Sequence, residues 1–161
     1  MAWEPELDES LVWRDVQFMQ DWKLAHFDRC WACHKPAAKA VYECLGGLHV
    51  HHMIFRSRAR CDRSWNLSIL CNECHESAHG GAWVTINGVR RPGLDLAHVL
   101  WLKQHEDPDD WQPELLVRLN RGRQGSRRLP NPAEPPDWYM EKRLQSIPWW
   151  KVQAMKESDG D

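Results

Sequence analysis

The chain has 161 residues and a formal net charge of −2, and it is 42% hydrophobic and 27% charged, an ordinary composition for a globular protein. Its length allows one compact domain with extensions. The sequence lacks an apolar run of bilayer length and a signal-peptide pattern at its start, so we expect an intracellular protein without membrane contact. In that compartment clustered cysteines bind metal more often than they form disulfides.

Charge is distributed unevenly along the chain. Residues 29–91 contain nine lysines and arginines against four acidic residues, and residues 118–128 contain five arginines and no acidic residue. A basic middle with acidic flanks can contact phosphates even though the net charge is negative.

The first half of the chain predicts a helix, a hairpin and a second helix. Apolar spacing predicts a helix over residues 10–25 with Ser10 as its N-cap. Two strand-like segments, 40–45 and 48–55, flank Gly46-Gly47 and predict a β-hairpin. Residues 65–70 are then a short connection, and residues 72–79 form a helix that ends at Gly80-Gly81.

The second half predicts a hairpin over 83–91 with an Asn-Gly turn, helices over 94–105 and 111–119, and a partly helical segment over 138–155. The fold class is therefore α+β, a small ββα core stapled by cysteines with additional helices on both sides. We expect an N-terminal helical extension (1–29), the core (30–82), a hairpin and helices packed on it (83–120), and an Arg/Pro-rich linker with a Trp-rich tail (121–161).

Four cysteines occur as two Cys-x-x-Cys knuckles, Cys30 with Cys33 and Cys71 with Cys74. Two-residue spacing lets both sulfurs of a knuckle reach one tetrahedral ion, so the pairs predict a closed structural Zn²⁺ site. A redox dithiol protein is the competing interpretation.

Histidines cluster next to the knuckles. His51 and His52 are adjacent on a predicted strand, so they point to opposite faces and can serve different roles. His75 and His79 are four residues apart on a predicted helix and share one face. His49 alternates with His51 and is ambiguous. Two imidazoles from a helix and one from a strand would leave a metal with open coordination positions.

The order His51-His52, Asn66-Leu67 and Cys71-x-x-Cys74-His75-x-x-x-His79 resembles the HNH endonuclease motif. This is the ββα-metal nuclease family in its four-cysteine zinc-knuckle subtype, and the resemblance covers residues 30–79. It implies a metal-dependent endonuclease that hydrolyses, and most simply nicks, DNA. Free-standing proteins of this type are often phage-encoded, which implies the bacterial cytoplasm and either a phage packaging partner or a homodimer.

The resemblance also implies a role for each residue of the motif. His52 is the general base that activates water, and Asn66 orients it by hydrogen bonding and fixes the loop. His51, His75 and His79 hold one catalytic divalent metal. Imidazole ligands suit Mn²⁺, Ni²⁺, Co²⁺ or Zn²⁺ better than Mg²⁺, so we expect stronger activity with the transition metals.

Four arginines follow the predicted base and are candidates for DNA phosphate contacts, in competition with a solvated loop. They are Arg56, Arg58, Arg60 and Arg63. The main alternative to the nuclease is a non-catalytic zinc module that binds DNA or a protein, which would need the cysteines but not His52, Asn66 and His79 together.

Overall fold

The computed structural model of the chain describes residues 9–37, 47–54, 60–79, 83–86, 88–121 and 128–146. These residues form a mixed helix and strand fold, which confirms the predicted α+β class. None of the helices in these ranges is long and apolar enough to span a membrane.

The N-terminal segment is a 3-10 turn followed by helix α1, Val16–Ala25. The predicted start at Ser10 is wrong, because the N-cap is Asp15, whose side chain accepts a hydrogen bond from the N–H of Phe18 at 2.9 Å. Before the helix, Trp13 forms a parallel β-bridge with Cys61. This tertiary pairing keeps residues 12–15 out of the helix, although their spacing fits one.

The central unit is a two-stranded antiparallel sheet of β1, Leu48–His52, and β2, Leu67–Cys71. The predicted partner of β1, residues 40–45, lies outside the described residues. The segment taken for a connection, 65–70, is instead largely strand β2, and its residues are all buried. The register places Leu48 opposite Cys71 and His52 opposite Leu67.

Helix α2, Asn72–Ala78, begins directly at the end of β2. Cys71 is therefore both the last residue of the strand and the N-cap of the helix, and α2 contacts both strands. This β1–β2–α2 arrangement fits a ββα core, in which β1 lies within the predicted strand 48–55 and β2 occupies most of the predicted connection 65–70.

The remaining elements surround the core. Strands β3, Val84–Ile86, and β4, Val89–Arg91, pair as the predicted hairpin, and Gly88 in its turn has a φ of +79° that favours glycine. Helices α3, Leu96–Glu106, and α4, Pro113–Asn120, lie within two residues of their predicted limits. Helix α5, Trp138–Ser146, follows a Pro-rich segment, residues 128–136, that forms neither helix nor strand.

One hydrophobic core runs from Leu11 to Tyr139 and includes both cysteine knuckles. Lys103 of α3 is a fully buried cation within this core. Its Nζ donates to the carbonyls of Ser64 and Leu67 at 2.7 and 2.9 Å and to Oδ2 of Asp107 at 2.7 Å. All three ammonium protons therefore have acceptors. Since Leu67 belongs to β2, this lysine joins α3 to the central sheet.

Candidate metal centre

The four predicted cysteine ligands come together in one buried cluster. Cys30 and Cys33 lie in the turn after α1, which docks on the sheet because the N–H of Trp31 donates to the carbonyl of Ile69 at 3.0 Å. The cysteines of the second knuckle are supplied by the β2–α2 junction. All four are fully buried, and their sulfurs lie within 4.8 Å of one another.

The cluster has the dimensions of a metal site. Sγ of Cys33 lies 3.7 Å from Sγ of Cys71, and a tetrahedron with metal–sulfur bonds of 2.3 Å has edges of about 3.8 Å. Burial raises the pKa of the Cys30 thiol, whereas hydrogen bonds from the other three thiols lower the pKa of Cys33. Such a cluster can hold a metal ion such as zinc, whose charge would offset part of the charge of its thiolates.

Three histidines form a second cluster immediately next to the cysteines. His51 extends from β1, His75 follows Cys74 in α2, and His79 is the C-cap of that helix. One ring nitrogen of each lies within 4.8 Å of the others, and Nε2 of His75 is 3.1 Å from Nε2 of His79. Imidazole nitrogens bound to one ion at 2.0–2.1 Å would lie about 3.0–3.4 Å apart, a spacing that His75 and His79 already have, and His51 could join them in holding one ion.

The histidine cluster is closed on one side and open on the other. His51 is only 2% exposed, His75 is half-buried and His79 is exposed. Burial lowers the pKa of His51, and the charges of His75, His79 and His52 lower it further. His51 therefore stays a neutral imidazole, the form that binds a metal.

His49 is not one of these three histidines, but it shares their face of the sheet. Its Nδ1 lies 3.0 Å from Nδ1 of His75, and the two rings meet edge to face. His75 thus contacts His79 through one ring nitrogen and His49 through the other. The structure thus places His49 against a candidate ligand, His75.

His52, the predicted base, points to a residue that the sequence analysis missed. Its Nε2 donates to Oδ1 of Asp62 at 2.7 Å, and His52 is 7% exposed while Asp62 is fully buried. Burial raises the pKa of Asp62, but hydrogen bonds from His52, Arg60 and the Asp15 N–H outweigh it, so the pKa is lowered. In the sequence, Asp62 is only a lone acidic residue between Arg60 and Arg63. That pattern does not reveal a histidine partner.

Asn66 fixes the ends of the loop that follows β1. Its Oδ1 accepts from the N–H of Ile54 at 2.9 Å, and its Nδ2 donates to the carbonyls of Cys61 and Ile54 at 3.0 and 3.4 Å. Its carbonyl also accepts from the N–H of Met53 at 2.9 Å. These bonds fit the expected loop-fixing role, and Nε2 of the His52 ring bonds to Asp62.

The four candidate phosphate-binding arginines have different surroundings. Arg56 and Arg58 lie outside the described residues. Arg60 turns inward, and its Nε donates to both carboxylate oxygens of Asp62 at 3.1 Å. Arg63 is exposed and stacks its guanidinium 3.5 Å from the centre of the Trp13 ring. Its role as a phosphate contact stays a prediction.

The chain matches no family model, no curated protein and no solved structure.

Proposed function

We propose that the protein is a metal-dependent DNA endonuclease that nicks a phosphodiester bond by a one-metal mechanism. One observation carries the proposal. Three imidazole rings from a strand and a helix each place one nitrogen within 4.8 Å of the others, and one of them, His75, directly follows Cys74 of the buried four-cysteine cluster. The cysteines alone would suit any zinc module, whereas the additional histidines supply a second and more open site.

The two clusters differ in the coordination they offer. We infer that the four cysteines hold a structural Zn²⁺, because four thiolates complete a tetrahedron and leave no position for substrate. His51, His75 and His79 provide three ligands, and the exposure of His79 leaves room for water and phosphate. Their neutral nitrogens favour Mn²⁺, Ni²⁺, Co²⁺ or Zn²⁺ over Mg²⁺.

The mechanism assigns separate roles to adjacent residues of β1. When bound, the divalent cation supplies a Lewis acid for the phosphate and the departing 3′ oxygen. His51, His75 and His79 hold the cation. His52 accepts the proton of the attacking water, and it lies near enough to His51 for its charge to lower the pKa of that ring.

DNA is the proposed substrate because the segment around the site is basic. Arg63 presents its guanidinium at the surface beside Trp13, a combination that suits phosphate contact and base stacking. Arg56 and Arg58 add positive charge to the same loop in the sequence. Arg60 is the weaker candidate because it already pairs with Asp62.

A supercoiled-plasmid assay tests the proposal with Mn²⁺, Ni²⁺, Co²⁺, Zn²⁺ and Mg²⁺ added separately. We expect nicked product from the wild type, and more with the transition metals than with Mg²⁺. His52→Ala should lower the rate roughly 100-fold while the zinc content is retained. His105→Ala is the matched control, because His105 is exposed on α3 and bonds to the carbonyl of Trp101.

Three results would change this account. If the protein retains zinc but cleaves the plasmid with no metal in the panel, the non-catalytic zinc module is favoured. Cleavage with Mg²⁺ alone would contradict the histidine ligand set. Wild-type activity in His52→Ala would remove His52 from the mechanism.

A further inference from the structure

Asp62 is a buried carboxylate held by three donors. The His52 ring reaches Oδ1 at 2.7 Å, the Asp15 N–H reaches Oδ2 at 2.8 Å, and Nε of Arg60 reaches both oxygens at 3.1 Å. Asp62 is fully buried, and the Arg60 side chain is 20% exposed. The carboxylate therefore has a fixed position and is ionised, with one oxygen directed at His52.

The segment before α1 fixes the backbone around this carboxylate. The N–H of Trp13 donates to the carbonyl of Arg60, and the N–H of Asp62 donates to the carbonyl of Trp13, both at 2.8 Å. Residues 60–62 are thus held by a parallel β-bridge as well as by the Asp15 N–H. The N-terminal extension is part of the support of His52 and not a separate appendage.

The bond to Asp62 determines which ring nitrogen of His52 carries hydrogen. An ionised carboxylate only accepts hydrogen bonds, so Nε2 must be the protonated nitrogen of the neutral ring. The lone pair that can take a proton is then on Nδ1. In a base of this kind the carboxylate also stabilises the imidazolium that forms, and it does not itself take the proton.

We propose that Asp62 is a positioning residue that holds His52 in the tautomer with an unprotonated Nδ1. This inference rests on the proposed function. In the reaction, one proton passes from water to Nδ1 and the water oxygen bonds to phosphorus. The bond from phosphorus to the 3′ oxygen breaks, and that oxygen leaves with the electron pair and takes a proton from solvent.

Asp62→Asn tests the role with little change of shape. The new amide can donate to Nε2 of His52, which would move the ring hydrogen to Nδ1. Nδ1 would then have no lone pair with which to accept the proton of water. We expect kcat for plasmid nicking to fall at least 100-fold, with KM for DNA and zinc content close to those of the wild type. Asp109→Asn, an exposed aspartate beyond α3, is the matched control and should nick normally.

A second readout does not depend on activity. Long-range ¹H–¹⁵N NMR of the histidine rings in the zinc-loaded full chain reports each tautomer, and His52→Gln assigns the His52 signals. We expect hydrogen on Nε2 in the wild type and on Nδ1 in Asp62→Asn. The wild-type spectrum remains informative even if the Asp62 variant folds poorly.

The outcomes separate this inference from the proposed function. Hydrogen on Nδ1 of His52 in the wild type, or equal nicking by wild type and Asp62→Asn, would overturn the role of Asp62 alone. If the wild type fails to cleave DNA with every metal tested, the proposed function is overturned. The catalytic purpose of the His52–Asp62 pair is then overturned with it.

Discussion

Nζ of Lys142 lies 2.7 Å from Oε1 of Glu73, a residue between the two cysteines of the second knuckle. The next residue of α5, Arg143, donates through Nε to the carbonyl of Ala32 at 2.7 Å, between the cysteines of the first knuckle. Two adjacent cations thus join α5 to both knuckles. Burial lowers the pKa of Lys142, but the bond to Glu73 and the charge of Cys74 raise it by more.

Because of these contacts, we expect α5 to slow the loss of zinc from the four-cysteine cluster. A zinc ion with four thiolates carries a net charge of −2, which nearby cations stabilise. Lys142→Met and Arg143→Met should each speed zinc transfer to a chromogenic chelator about tenfold, the effect of losing one charged hydrogen bond. Leu144→Ala, 58% exposed on the same helix, is the control. Equal transfer rates in all four proteins would show that α5 does not stabilise the site.

Lys103→Met should destabilise the fold by about 3 kcal/mol, because it leaves the buried carbonyls of Ser64 and Leu67 without their donor. Urea unfolding at neutral pH measures this free energy. The exposed neighbour Gln104, changed to Met, should stay within about 0.5 kcal/mol of the wild type. A Lys103 variant as stable as the wild type would mean that methionine packing replaces these bonds fully.

His49→Ala should weaken metal binding at the histidine cluster about 10- to 100-fold, because His49 fixes the ring of His75 through its second nitrogen. Calorimetric titration of Co²⁺ into the zinc-loaded protein gives the affinity. His105→Ala is the control. An unchanged affinity would exclude this support. A loss far above 100-fold would instead identify His49 as a ligand.

Glu106 should contribute a pH-dependent part of the stability. Burial raises its pKa, but the hydrogen bond to His34 at 3.0 Å and the charge of Arg29 lower it by more. Because the folded pKa is below the unfolded one, near 4.3, this stability is present above that pH and is lost as pH falls through the folded value. The contribution is about 1 kcal/mol or less.

The measurement is the difference in melting temperature between wild type and Glu106→Gln from pH 7 to pH 3. The difference should be largest near neutrality and shrink in acid. Subtracting the two curves removes the loss of stability that both proteins share when acid releases zinc from thiolates. A constant difference at all pH values would contradict the assignment.

The residues of both clusters could be predicted because they are set by short spacings. Two residues between cysteines allow shared coordination, and the four-residue step from His75 to His79 places both rings on one helix face. Helices α3 and α4 were predicted for a similar reason, since their apolar periodicity is local. Local rules suffice wherever one element carries the relevant pattern.

The pairing of β1 with β2 and the contact between Asp62 and His52 could not be predicted from such rules. Residues 53–66 separate the two strands, so no tight turn marks their pairing, and Gly46-Gly47 offers a more obvious one. Asp62 meets His52 only because the N-terminal segment and Asn66 fix the intervening backbone. Both features depend on contacts between distant segments, which periodicity does not encode.

If the histidine cluster binds the metal ion that the proposed cleavage requires, nicking must depend on His75. The most direct measurement is the nicking rate of a plasmid at increasing Mn²⁺, for wild type and His75→Ala, each with one equivalent of zinc. The wild-type rate should saturate with Mn²⁺, and His75→Ala should not nick the plasmid at any Mn²⁺ concentration. Equal rates in the two proteins, or none in either, would contradict this expectation.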